Sequence, residues 1–425
     1  MESRRNAKPV ASPQLKVFLI FSILIFFSFS SPLFPTDKIL HNGVRFNVDQ
    51  VSDGNTDREL SPGIENGIPM NSFGRIIRFQ KQYCLDLFRL IDIPPPLVTV
   101  SITDILEHSL EANVSVHDGG QIFHHGDLKY EVNFSYLSNT SNTMTLQRLD
   151  NIGSRRGSDS YTLYALKSSE HKNDIVSGSL ESSRQWEMED IQKLITSMDR
   201  FASSYNLSRS EVYFIDIGAN VGTFSFAAAA AGFMVISFEA MRVNQRALQL
   251  SLCSNPKFLD NIAIFNTALG KDEAKCAMYS VPGNVLDGTV GCGTAPPLPG
   301  MVFRQTLNIT PLDMVLEDII PIITGKVGAL KMDTEGFEPW VIEGGKEFFS
   351  KVHPPFFTTE LNSIALRAGS GYSSMDFIKQ ILGLGYDLRH LNFDGPLFTE
   401  DQLKQELASG DEALMNLYFT KKDTN

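Results

Sequence analysis

Val212-Tyr-Phe-Ile-Asp-Ile-Gly-Ala-Asn-Val-Gly222, continued by Thr223-Phe-Ser-Phe226 and the alanine run Ala227 to Ala231, decides how this chain folds. Val212 to Ile217 is apolar and β-prone apart from Asp216, the pattern of a strand covered on both faces. Gly218 and Gly222 let backbone come close to a ligand, and the alanines make a slim helix that can lie flat on a sheet. A strand, a glycine turn and a helix N-terminus together form a nucleotide-type cradle at the carboxyl end of a parallel strand. Pyrophosphate binders usually show G-x-G-x-x-G. Here the pattern is Asp216-x-Gly218-x-x-x-Gly222, with an acid in the turn. A carboxylate repels a diphosphate and attracts a cation, so the turn points to S-adenosylmethionine, which carries sulfonium and ammonium charges.

The acids downstream fall where that reading needs them. Met234 to Phe238 is a second apolar strand, and it ends at Glu239, placed to hold both hydroxyls of a ribose. Asp216 or Glu239 alone reads as a helix-capping acid; with the glycines they read as a cofactor site. Ile262 to Asn266 is a third strand, and the turn Thr267-Ala268-Leu269-Gly270 at its end is placed to line an adenine ring with backbone. Val327 to Met332 is the next buried strand and ends in Asp333-Thr334-Glu335-Gly336; Pro355 to Thr359 comes after it and ends in Glu360. Paired acids on one edge can serve as a base and its tuner, since close like charges raise one pKa. The plainer alternative has Asp333 orienting the ligand and Glu335 capping a helix that starts near Glu338. Pro282 to Arg304, rich in Gly and Pro and without periodicity, reads as a functional loop, a lid or an acceptor contact. Asn416 to Thr420 reads as a closing antiparallel edge strand.

Composition narrows the class. The chain has 425 residues and a net charge of -12, with a pI of about 5.2, which argues against nucleic acid as substrate. Cys84, Cys253, Cys276 and Cys292 show no C-x-x-C and suggest no zinc site; were they to pair, Cys276 and Cys292, which bracket a short loop, come first. His117, His124, His125 and Asp127 match no metal-ligand spacing. Residues 1-16 form a basic leader, and 17-35 an apolar stretch that reads as a signal-anchor with its basic end cytoplasmic, or as a cleaved signal peptide. Either sends the rest of the chain into the Golgi or endoplasmic reticulum as a single-pass protein, or out of the cell. Sequons at Asn113, Asn133, Asn139, Asn206 and Asn308 agree with a glycoprotein. Residues 36-75 read as a linker or stem, 76-155 as an appendage of unassigned fold with a helical candidate from Ile76 to Leu90, and 156-421 as one α/β domain. Within it, Tyr161 to Leu166 is a strand and Trp186 to Phe201 an amphipathic helix leading into the cradle.

The order strand, glycine turn, acid, third-strand turn, D-x-E-G and Glu resembles the FkbM-type S-adenosylmethionine-dependent methyltransferases. The residues that carry it are Phe214-Ile-Asp-Ile-Gly-Ala-Asn-Val-Gly-Thr-Phe-Ser225, Phe238-Glu239, Asn266-Thr-Ala-Leu-Gly270, Leu312-Asp313, Leu330-Lys-Met-Asp-Thr-Glu-Gly-Phe-Glu338 and Thr359-Glu-Leu361, with Ile175-Val-Ser177 and Trp186-Glu187 as lead-in. It covers about 160 to 420 and departs at Ala240-Met241, where the family commonly has a proline. The resemblance implies a class I, Rossmann-like α/β fold: a doubly wound, mostly parallel seven-stranded sheet behind an N-terminal anchor and stem. It implies S-adenosyl-L-methionine as cofactor and O-methyl transfer to a hydroxyl of a glycan or another secretory acceptor. Gly218, Asn220 and Gly222 would shape the methionine end, Asp216 its amino group, Glu239 the ribose and Ala268 the adenine, with Asp333 also at the cofactor. Asp333 or Glu335 would be the base, with Glu360 outside them; the three could also hold a divalent metal, though no separate ligand set argues for one. The alternatives are a protein side chain or small lipid as acceptor, or a non-catalytic glycoprotein retaining the fold.

Overall fold

The computed structural model describes residues 72–91, 142–153, 160–168, 173–293, 296–408 and 413–422, and short strands at 64–65, 68–69, 97–101, 114–117 and 130–134. The leader at 1-16, the anchor expected at 17-35 and most of the stem lie outside the described residues, as do Asn113 and Asn139. No helix among the described residues is long and apolar enough to cross a membrane.

A short hairpin, β1 (Ile64–Glu65) and β2 (Ile68–Pro69), leads into α1 (Ser72–Ile91). Phe73, Ile77, Gln80 and Cys84 recur at helical spacing and are all buried. This stripe docks on the central sheet, where the Gln80 side chain accepts a hydrogen bond from Ile264 N at 3.3 Å and Cys84 is bridged to Cys253. The helix therefore crosses the expected linker boundary at 75 and belongs to the body of the α/β unit. Next come β3 (Leu97–Ser101), β4 (Val114–His117), β5 (Tyr130–Phe134), β6 (Asn142–Ile152) and β7 (Tyr161–Leu166). They form a five-stranded sheet ordered β4-β3-β5-β6-β7, of which the sequence reading gave β7 as a strand and left the rest without a fold. The free edge of β7 is satisfied by side chains: Tyr164 N donates to Ser251 Oγ at 2.8 Å, Thr162 N to Asn255 Oδ1 at 3.0 Å and Leu166 N to Ser177 Oγ at 3.1 Å. Buried backbone donors left alone would be costly, and these bonds also suit the edge against pairing with another chain.

After α2 (Ile175–Ser183) and α3 (Met188–Ser204) the chain alternates: β8 (Tyr213–Ile217), α4 (Thr223–Ala230), β9 (Met234–Phe238), α5 (Arg242–Cys253) and β10 (Ile262–Phe265). β11 (Ala268–Leu269), β12 (Ala274–Ser280), β13 (Gly288–Gly291) and β14 (Val302–Thr310) then make a four-stranded sheet. Two of these correct the sequence reading, because Pro282 to Arg304 holds β13 and the start of β14. The Cys276–Cys292 bridge ties β12 to the middle of that segment, directly after β13. The chain returns through β15 (Val327–Met332), α6 (Glu338–Glu343), β16 (Phe356–Asn362), β17 (Tyr386–Arg389) and β18 (Leu414–Lys421).

The central sheet is ordered β10-β9-β8-β15-β16-β18-β17 and is mixed rather than wholly parallel. From β10 to β16 neighbours run parallel; β18 runs antiparallel to both β16 and β17. Strand order reverses between β8 and β15, which makes their carboxyl ends a topological switch point, the usual place for a ligand in such sheets. Register brings the strand ends level. Ile217 pairs with Phe238 and with Met332, and Met332 with Thr359. The next residues, Gly218, Glu239, Asp333 and Glu360, therefore emerge on one edge. Alternate residues of β8 divide between two cores, Phe214 on one face and Ile215 and Ile217 on the other.

The Cys84–Cys253 bridge closes a separation of 169 residues. Replacing both cysteines by serine is expected to lower unfolding free energy by about 2–5 kcal/mol, read by denaturant titration. Limited proteolysis should then cut first within α1.

Candidate active site

The turn after β8 is held by its neighbours. Asp333 N donates to Ile217 O at 2.9 Å, and Gly218 N and Ala219 N both donate to Phe238 O, at 3.0 and 2.9 Å. Gly218 has φ +81°, and a Cβ there would sit 1.8 Å from Asp333 O, so no side chain fits. Asp216, expected beside the ligand, lies behind this turn. It is fully buried, with Oδ2 accepting from Ser225 Oγ at 2.5 Å, and Ser225 Oγ lies 2.7 Å from Ser237 Oγ. It ties strand to helix and does not line the cavity. Gly222, at the N-cap of α4, is also set back from it.

A cavity opens over the strand ends and brings together Gly218, Asn220, Glu239, Ala268, Asp333 and Glu335 of the expected set. Glu239 takes backbone donors on both oxygens, Asn220 N at 2.8 Å and Met241 N at 2.7 Å. Burial pushes its carboxyl up to about 7 in spite of those bonds. Asn244, missed in the sequence, is 2 % exposed and lines the same cavity. Its Nδ2 and that of Asn220 both donate to Leu286 O, at 3.3 and 3.4 Å, while the Oδ1 atom of each is buried without a hydrogen-bond partner. Leu286 N donates to buried Asp174 at 3.1 Å. The segment read as a lid is thus clamped by side chains on both polar groups of Leu286, and Leu286 closes part of the wall. Isolated Asn and Asp residues distant in sequence carry no local signal, which is why Asn244 and Asp174 could not be picked out.

Beyond the cavity the edge is acidic. Glu335 sits at φ 52° in the left-handed region, followed by Gly336 at φ +91°, where a Cβ would meet Ala365 O at 2.0 Å. Glu338, not Glu335, caps this turn: its Oε1 accepts from Thr334 N at 2.6 Å and Gly336 N at 3.3 Å. That leaves the Glu335 carboxyl to face the cavity. Carboxylate oxygens of Asp333, Glu335 and Glu360 lie within 4.8 Å of one another. Asp287 joins them from the clamped segment through a carboxyl–carboxyl hydrogen bond with Glu335. Burial, then the neighbouring charges, raises Glu335 and Glu360 well above the ordinary carboxylate range. Glu360 lies on a second, smaller cavity that shares Asp333 with the first and is also walled by Glu187, Asp190 and Lys331. Lys331, 8 % exposed, donates to Asp333 Oδ2 at 3.1 Å and stays charged.

Residues 216–393 match the family model of the methyltransferase FkbM domain. No curated protein matches the sequence. Among solved structures the chain is similar to a methyltransferase FkbM from Methylobacillus flagellatus, at 15% identity and TM-score 0.30, over 59% of this chain and 61% of that one. The chain thus spans less than two thirds of that protein's length. It is also similar to precorrin-6y C5,15-methyltransferase from Geobacter metallireducens, at 8% identity and TM-score 0.25, over 53% and 87%. A third is an O-methyltransferase from Bacillus cereus in complex with SAH, at 10% identity and TM-score 0.25, over 58% and 98%.

This geometry has two testable outcomes. Gly218→Ala should destabilise the fold by about 1–3 kcal/mol or more, since it meets both a left-handed backbone and a carbonyl oxygen; Gly178→Ala, with nothing within 4 Å, should be neutral or stabilising in the same denaturant titration. The second concerns pH. Glu187, Glu239 and Glu338 all rise from 4.5 to about 7, chiefly by burial. The folded chain therefore holds more protons than the unfolded one between those values. Their contribution to stability is full below 4.5 and is lost as pH rises through about 7. The melting temperature of the ligand-free protein should fall from pH 5.5 to 8, and Glu338→Gln should flatten part of that slope.

Proposed function

We propose that this chain, whose residues 216–393 match the family model of the methyltransferase FkbM domain, binds S-adenosyl-L-methionine in the larger cavity and methylates a hydroxyl, on a glycan or another secretory-pathway acceptor. The observation that carries the cofactor reading is the pair of buried, unpartnered acceptor atoms, Asn220 Oδ1 and Asn244 Oδ1, on the same cavity as the carboxylates of Glu239, Asp333 and Glu335. A buried acceptor without a donor costs free energy. A wall so rich in acceptors suits a ligand with a ribose diol, amino groups and positive charge. The residues fit the cofactor on that account, and Gly218 leaves the close backbone approach it needs.

Bound there, S-adenosylmethionine supplies an electrophilic methyl group on a cationic sulfur. Glu239 would hold the ribose hydroxyls, the backbone at Ala268 would face the adenine, and Asn220 and Asn244 would accept from the ligand's donors. Asp333 is set by Lys331, so Glu335 is the better placed to hold the proton that an acceptor hydroxyl sheds. A positioned carboxylate of this kind contributes on the order of 10²–10⁴-fold. Both cavities end on Asp333, so cofactor and acceptor can meet at the acidic edge. The apolar segment 17-35, the two disulfides and the exposed sequon residues Asn206 and Asn308 support a setting in the secretory pathway.

Calorimetric titration of the full chain with S-adenosylmethionine and with S-adenosylhomocysteine tests the reading. Micromolar binding of both is expected, weakened roughly tenfold by Asn244→Ala. Glu335→Gln should bind the cofactor yet lose methyl transfer to hydroxyl acceptors, followed with isotopically labelled methyl. A folded chain that binds neither ligand overturns the reading.

A further inference from the structure

The Asp287–Glu335 pair has a geometry that a capping or packing role does not require. Asp287 is carried on a segment fixed at Leu286 by Asp174, Asn220 and Asn244, so its contact with Glu335 is built in. Glu335 lines the larger cavity. Facing the pair are Asp333 from the end of β15, Glu360 from the end of β16 and Asp174 from the N-cap of α2. Glu187 and Glu338 act on it at one remove through Glu360, and the ammonium of Lys331 is engaged with Asp333. Burial and then mutual repulsion raise Glu335, and burial raises Asp287; a hydrogen bond between two carboxyls requires one proton held between them. Carboxyls this crowded either keep a proton or gather a cation.

We propose that the Asp287–Glu335 pair senses the charge of the bound donor, releasing its shared proton to solvent when a cationic sulfonium ligand enters the cavity and keeping it when the ligand is a neutral thioether. The inference rests on the cofactor reading above. Release leaves Glu335 as a carboxylate able to take the acceptor's hydroxyl proton. The acceptor oxygen gains the methyl, the carbon–sulfur bond breaks with its electrons passing to sulfur, and the hydroxyl proton restores the pair. Charge balances over the cycle: one proton leaves on binding, one returns from the acceptor, and the sulfur ends neutral. The pair thereby favours the methyl donor over its product. Asp287 is a positioning residue here, acting through Glu335.

The test is proton counting. The full chain is titrated at pH 7 with S-adenosylmethionine and with S-adenosylhomocysteine, each in phosphate and in Tris, whose ionisation enthalpies differ. S-adenosylmethionine should release more protons than S-adenosylhomocysteine, by up to roughly one per site. Protonation changes at Glu239 are common to both ligands and cancel. Asp287→Asn and Glu335→Gln should each abolish the difference while both ligands still bind. A merely structural Asp287 would weaken both ligands alike and leave the difference unchanged. Equal release by the two ligands in the unaltered protein, or a difference that survives both substitutions, overturns the proposal. Absence of binding by either ligand, with a folded circular-dichroism spectrum, instead overturns the cofactor reading on which it stands.

Discussion

The buried ammonium of Lys331 is the constraint on which the acidic edge depends. It lies on β15 beside Asp216 of β8 in the strand register, bonds Asp333 at 3.1 Å and sits 5.0 Å from the ring centre of Phe224. Burial works to strip a lysine of its charge. The carboxylates of Asp333, Asp216 and Glu187 more than offset that, and Lys331 remains protonated. With that charge in place, Asp216 can be fully buried and still serve the strand–helix joint through Ser225 and Ser237. Without it, carboxylates on two adjacent strands would face each other uncompensated, a situation that costs several kcal/mol.

From this arrangement comes the division of labour among the acids. Asp216 and Glu338 shape backbone, one behind the glycine turn and the other under the turn at Thr334 to Gly336. Glu239 is oriented by two backbone donors and faces the cavity. Glu335 faces the cavity from a left-handed backbone, a strained conformation beside the capping bonds of Glu338. The clamped segment at Leu286 adds Asp287 and closes the wall, and the Cys276–Cys292 bridge fixes that segment to β12. Rigid strand ends thus supply most of the groups, and one tied-down crossing segment supplies the partner that tunes them.

Legibility in the sequence followed locality. The strand–turn–helix at 212–231, the acids at 239, 333, 335 and 360, and the helix reaching Leu90 were readable because each signal lies within a few residues: an apolar run, a glycine, then an acid. The same local logic misplaced Asp216, since a carboxylate at position two before a glycine can point into the cavity or behind it, and the burial of the partners decides which. It also missed β13 and β14, whose short or exposed strands carry little periodicity, and it left open whether Glu335 caps the helix, a place that Glu338 fills.

By itself the sequence determined that this is an α/β chain with a nucleotide-type cradle and acids at successive strand ends, because strand-helix periodicity and glycine turns are properties of neighbouring residues. Only the tertiary structure decided which acids meet. The contacts of Asp287 with Glu335, Asn244 with Leu286, Gln80 with Ile264 and Cys84 with Cys253 join residues far apart in the chain. Such contacts are set by sheet order, strand register and the path of the crossing segment, and those depend on how the whole chain buries its apolar faces, which no local pattern records.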